Sequence, residues 1–155
     1  MKSKILILTS IIFLLSGCIP EPENSNIPNS RVSFYLDVSI SGVDNKLADG
    51  LLGNSKIYTK SNPSKLSPNG SYGYSGVVVV RAYDNYLYAF DICCPYEADR
   101  NIYLEDNGFF LKCPKCSSVF EIGNGSGYVN SGPATQRLKK YNVTQNSSQK
   151  IRVYN

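Results

Sequence analysis

Apolar positions along this chain fall into two regimes. Behind Lys2 and Lys4, residues 5–15 form an almost unbroken apolar run. The run is well short of the ~20 apolar residues that a membrane-crossing helix needs, and with its basic lead it suits the core of an export signal. Beyond it the pattern is that of strands. Residues 32–40 alternate apolar and polar side chains and predict a strand, as do 56–59. Val77, Val78, Val79 and Val80 form a β-branched run typical of a buried strand, and the turn signal Asp84-Asn85 leads into a second strand over 86–90. Strands are expected at 101–104 and 109–112 around Glu105-Asp106-Asn107-Gly108, read as a hairpin turn with Asn-Gly at its tip. Further short strands are expected at 118–122, 127–129, 138–143 and 150–154. Residues 61–75, with Pro63 and Pro68 among serines, asparagines and glycines, read as a long loop. No segment sustains a helical period with caps. The expected fold is all-β, a small antiparallel sandwich or barrel.

The residues that close the first apolar run change its meaning. Leu15-Ser16-Gly17-Cys18 resembles the lipobox of bacterial lipoproteins, in which small residues precede a cysteine that accepts lipid. That resemblance implies a signal peptide over 1–17, cleavage before Cys18, and lipidation of Cys18 with diacylglycerol and further acyl chains such as palmitate. Several acyl chains on one residue, at ~0.8 kcal/mol per buried methylene, hold stably to a membrane. Residues 19–30, rich in Pro, Asn, Ser and Glu, read as a flexible tether, so that 18–30 link the lipid to one domain over 31–155. Ile19, where an aspartate would by analogy favour the inner membrane, directs the expectation to the outer membrane of the cell envelope, on its periplasmic or surface face. The expected partners are the membrane and an unknown envelope protein or redox partner.

Charge adds little. Cleavage removes two of sixteen basic residues, close to balance with twelve acidic ones, and no basic cluster exceeds Lys139-Lys140, so nucleic acid is not an expected partner. The absence of histidine adds more. It excludes Ser-His and Cys-His nucleophiles and the common His-ligated zinc enzymes. With Cys18 lipidated, Cys93, Cys94, Cys113 and Cys116 remain, an even number of thiols in an oxidising compartment, which points to disulfides, metal ligands or both.

The thiols sit in two loops, each with a proline beside a cysteine: Asp91-Ile92-Cys93-Cys94-Pro95-Tyr96-Glu97 and Lys112-Cys113-Pro114-Lys115-Cys116-Ser117-Ser118. A CxxC turn aims two thiolates to one side, the geometry shared by zinc ribbons, iron–sulfur sites and dithiol redox sites. With Phe120 on the strand after the second loop, glycines at 125 and 127, Gly132-Pro133-Ala134, and a closing strand at 138–143, residues 77–154 resemble the Rieske iron–sulfur domain. The resemblance implies an all-β domain carrying both cysteine loops at one end. Cys94 and Cys113 take the family's cysteine positions, whereas Tyr96 and Cys116 stand where its two histidines would be, and Cys93 is an extra thiol.

Three readings of this constellation stay open. Cys93, Cys94, Cys113 and Cys116 hold metal, either zinc or an atypical all-cysteine [2Fe–2S] cluster whose thiolates would lower its potential. Alternatively they form disulfides with no cofactor, or the CxxC acts as a free dithiol. Against a four-thiol site, adjacent cysteines diverge along an extended backbone. The corresponding functions are an electron-transfer module of the envelope, or a Rieske-like domain without a cluster that serves structure or binding. Neither is an enzyme in its own right, and no catalytic residue is assigned. Glu97, Asp99, Glu105 and Asp106 read as solvated loop carboxylates. Tyr72, Tyr74, Tyr83, Tyr86 and Tyr88 read as packing residues, and Gly123, Gly125 and Gly127 lack the strand-then-helix context of a phosphate loop.

Overall fold

The valine run is where the architecture is decided. In a computed structural model that describes residues 25–144 and 150–155, Val77 and Val79 lie in one apolar core and Val78 and Val80 in another, all four fully buried. Successive strand side chains point to opposite faces. An uninterrupted apolar run is therefore what a strand covered on both faces requires. Each such valine contributes roughly 1.5–3 kcal/mol of burial. The run is β4 (Val77–Arg81), paired antiparallel with β5 (Leu87–Asp91) in the register Val79↔Ala89. β5 is likewise two-faced: Leu87 and Ala89 enter the first core and Phe90 the second.

Around this pair an antiparallel seven-stranded sheet is ordered β2-β4-β5-β10-β11-β1-β3, with β1 (Val32–Asp37), β2 (Ser55–Tyr58), β3 (Ser71–Tyr72), β10 (Lys140–Thr144) and β11 (Lys150–Tyr154). Its edges curl toward each other. Phe34 of β1 touches Tyr58 of edge strand β2 at 5.1 Å between ring centroids and Tyr72 of edge strand β3 at 4.9 Å, so the sheet forms a nearly closed barrel around the first core. A second antiparallel sheet, β6 (Glu105–Asn107), β7 (Phe110–Lys112), β8 (Val119–Glu121) and β9 (Tyr128–Ser131), brings Leu111 and Phe120 against Val78, Val80 and Phe90 to make the second core. The all-β expectation holds. Among the described residues no helix is long and apolar enough to cross a membrane.

Three local expectations need correction. The strand placed at 101–104 is instead loop with a single bridge, Tyr103 to Cys93, and the residues read as a turn form β6. The tip of that hairpin is Gly108-Phe109, where Gly108 takes φ +68°, a conformation glycine adopts without steric cost. The long loop over 61–75 contains β3, whose Ser71 pairs with Ser33. The third concerns the tether. Cys18 and the lipobox lie outside the described residues, but 25–30 are docked on the domain. Ile27 is 3% exposed, and Lys139 donates to Ile27 O at 2.9 Å and to Asn29 Oδ1 at 2.6 Å. Packed chain thus begins several residues before Arg31.

Candidate metal centre

The first cysteine loop leaves β5 at Asp91, and the second leaves β7 at Lys112. Each begins Cys-Pro, and each closes the same way. Ala98 N donates to Cys94 O at 2.9 Å, and Ser117 N donates to Cys113 O at 3.0 Å. The closing residues Ala98 and Ser117 have φ of +49° and +62°, left-handed conformations that are uncommon outside glycine. Proline fixes the entry of each turn and removes a donor that would have no partner there. Two copies of one tight turn therefore face each other from neighbouring sheets.

This pairing brings three thiols together. The sulfurs of Cys94, Cys113 and Cys116 all lie within 4.8 Å of one another, with Cys94 and Cys116 at 3.7 Å. A tetrahedral ion with ~2.3 Å metal–sulfur bonds sets its sulfurs ~3.8 Å apart. Cys94 and Cys113 are fully buried and Cys116 is half-buried. Cys93 does not join them. Its sulfur faces Asp99 O at 3.5 Å and Cys94 O at 3.8 Å, on the other side of the strand, as alternation of neighbouring side chains requires. Tyr96 is 57% exposed. The set of four thiols expected from sequence is thus three plus one.

The surroundings hold the loops firmly. Asp91, fully buried at the end of β5, accepts from Tyr74 N at 2.8 Å, Ser75 N at 3.3 Å, Cys93 N at 2.9 Å and the Tyr141 hydroxyl at 2.7 Å. Ser118, also buried, accepts from Ala134 N at 3.1 Å and lies 3.1 Å from Cys116 Sγ. Gly132 is required beside it, because a Cβ there would sit 2.5 Å from Ser118 Cα. These contacts separate the thiols chemically. Burial pushes the Cys93 thiol up to about 11 and raises Cys94 as well. Burial also acts to raise Cys116, but hydrogen bonds from the Ser118 hydroxyl and amide outweigh it and hold Cys116 below its ordinary value. A thiophilic cation deprotonates the thiols it binds by coordination itself.

Glu97 and Lys115 were not singled out as site residues by sequence. Glu97, read as a solvated carboxylate, has a side chain only 10% exposed and is bonded at Oε2 to Lys115 Nζ of the opposite loop at 2.6 Å. The signal was present in the spacing: Glu97 follows Cys94 by the interval at which Cys116 follows Cys113. Of the tyrosines, Tyr72 is core, whereas Tyr83 and Tyr86 are exposed.

No family profile matches the sequence, and no curated protein matches it. Among solved structures, a chain from a complex of reduced oxygenase and oxidised ferredoxin in carbazole 1,9a-dioxygenase is similar, with 17% identity and a TM-score of 0.45. The match covers 66% of this chain and 82% of that one. At that level the likeness is partial, and the centre is read from its own residues.

Proposed function

We propose that this chain is a lipid-anchored envelope protein whose Rieske-like β domain uses Cys94, Cys113 and Cys116 to hold a single thiophilic metal ion, zinc, at the tips of two facing loops. The observation that carries this reading is the compact sulfur triangle with Cys93 turned out of it. Soft thiolates select zinc, copper(I) or iron–sulfur centres, and the residues present do not fit the last. A [2Fe–2S] core takes its four ligands as two pairs, separated by the length of the core. Here one close-set triangle stands without histidine, and Tyr96 is turned to solvent. The second of the two functions drawn from sequence, a structural or binding module, is therefore the better supported. The ion would tie the first loop, which leaves the barrel, to the second sheet, and so fix the surface that both loops present to an envelope partner.

Zinc, iron and acid-labile sulfide measured on mature protein purified from the envelope test the metal reading. The expected result is one zinc per chain, no sulfide and no visible absorption. Iron and sulfide in equal amounts with a visible chromophore would overturn it. The lipid anchor rests on the lipobox-like Leu15 to Cys18, and Cys18→Ala is expected to leave the protein in the soluble fraction or unprocessed.

A further inference from the structure

The two cysteine loops are copies of one turn, and the copy is not perfect in sequence. Residues 94–98 read Cys-Pro-Tyr-Glu-Ala and residues 113–117 read Cys-Pro-Lys-Cys-Ser. Their backbones correspond position by position: both first carbonyls accept from the amide four residues on, and both fifth residues are left-handed. In the second turn the fourth residue sits on the first sulfur: Cys116 N donates to Cys113 Sγ at 3.5 Å. That fourth residue, Cys116, contributes a ligand itself. In the first turn that residue is Glu97.

We propose that Glu97 is the fourth ligand of the metal centre, completing a set of three thiolates and one carboxylate oxygen with Cys94, Cys113 and Cys116. Its carboxylate stands outside the close group of the three sulfurs and would turn toward them on metal binding. The inference rests on the reading of the cysteine triangle as a metal site and adds the residue that closes it. Three features support it. Zinc accepts carboxylate oxygen alongside sulfur in a tetrahedral shell. The Glu97 side chain is nine-tenths buried between the loops, an unusual place for a carboxylate without such a role. Its bond to Lys115 uses Oε2, and in the loaded centre the same lysine would hold the oxygen that does not bind metal, fixing the carboxylate as outer partners of metal ligands do. Lys115 also offsets part of the negative charge that four anionic ligands bring to one divalent ion. The fourth position taken by a side chain rather than water makes the site closed, as structural centres are.

Anaerobic titration of the reduced mature protein with cobalt(II) tests this directly, because tetrahedral cobalt reports its donors in the visible and near-ultraviolet. Wild type is expected to bind one cobalt with thiolate charge-transfer bands and the d–d bands of a mixed sulfur–oxygen shell. Glu97→Ala should bind at least tenfold more weakly, with a shifted d–d envelope as water enters. Glu97→Cys should bind tightly, with charge-transfer intensity raised by about a third as a fourth thiolate joins and d–d bands moved to longer wavelength. Should Glu97→Ala lose its fold by circular dichroism, Glu97→Cys still decides the matter. Wild-type affinity and spectra in both variants would remove Glu97 from the centre and leave the three-cysteine reading intact, whereas failure of wild type to bind cobalt at all would overturn both.

Discussion

Asp91 shows how one buried side chain sets the position of the centre. Its carboxylate gathers three backbone amides, from Tyr74, Ser75 and Cys93, and the Tyr141 hydroxyl, so the end of β5, the glycine-flanked 73–76 segment and β10 converge on one group. The amide of Cys93 is one residue from the first thiol of the sulfur triangle, which means that the carboxylate fixes where the loop departs. A buried acceptor that serves four donors is costly to remove, because each orphaned donor retains its desolvation penalty. Asp91→Ala orphans four neutral donors at ~1–3 kcal/mol each, partly re-paired by water, and is expected to lower stability by ~3–5 kcal/mol. Tyr141→Phe, which deletes one donor and leaves the others paired, should cost only ~1 kcal/mol. Urea denaturation of the two variants checks the ratio. Equal losses would mean that the single bond from the Tyr141 hydroxyl, not the backbone amides, carries the stability of this network. Asp91 was visible in the sequence only as a loop neighbour of the cysteines, since nothing in a single chain marks four donors brought from segments up to fifty residues away.

At the scale of elements, the paired turns carry a strain that the sequence could have relieved. Ala98 and Ser117 close their turns at positive φ, where L-residues lose ~1–2 kcal/mol. Glycine would avoid that cost but lose ~0.5–1 kcal/mol to its freedom in the unfolded chain. The balance favours glycine, so Ser117→Gly is expected to raise stability by ~0.5–1 kcal/mol and Ala98→Gly by a similar amount, read as higher denaturation midpoints with unchanged m-values. Loss of stability in Ser117→Gly would show that its side chain makes a contact worth more than the strain. Strand patterns were legible where burial imposes a period or a run: 77–80 became β4 and 150–154 became β11 at the expected places. They failed where an element buries nothing. β6 is Glu-Asp-Asn, exposed throughout, held by its pairing to β7 and by Ser55 Oγ donating to the Asp106 carboxylate. An edge strand of that composition has no apolar signal and blunts further pairing with its charges. The two cysteine loops were legible as partners because Cys-Pro recurs. The orientation of Cys93 followed from strand alternation, but the role of Glu97 requires the second turn to be laid on the first, a comparison of geometry rather than of residue type.

For the whole molecule, the two cores differ in how they are closed. The first lies within a sheet whose edge strands both reach Phe34, and barrel pairing alone encloses it. The second depends on a separate four-stranded sheet of short strands laid across β4 and β5, with Cys94 and Cys113 themselves among its buried members. Covalent chain links this sheet to the barrel through the first cysteine loop and the 131–138 segment, the Lys115–Glu97 pair bridges the loop tips, and a metal ion held by both loops would add a stronger tie there. Removal of that ion should therefore loosen the molecule unevenly. A ligand present at a thousand times its dissociation constant stabilises the fold by ~4 kcal/mol, and for a domain of this size each 1 kcal/mol moves the midpoint by roughly 3–6 °C. Chelation of the mature protein under reducing conditions is expected to lower the thermal midpoint by ~10–20 °C on that basis. Amide exchange should rise first in β7, β8 and residues 94–98, while β4, β5 and β10 keep their protection, because their hydrogen bonds are enclosed by the barrel core whether or not metal is bound. Uniform loss of protection across both sheets would mean that the centre supports the whole fold. An unchanged midpoint after the metal has gone would mean that the apolar contacts of Leu111, Phe120 and Ile122 suffice to close the second core.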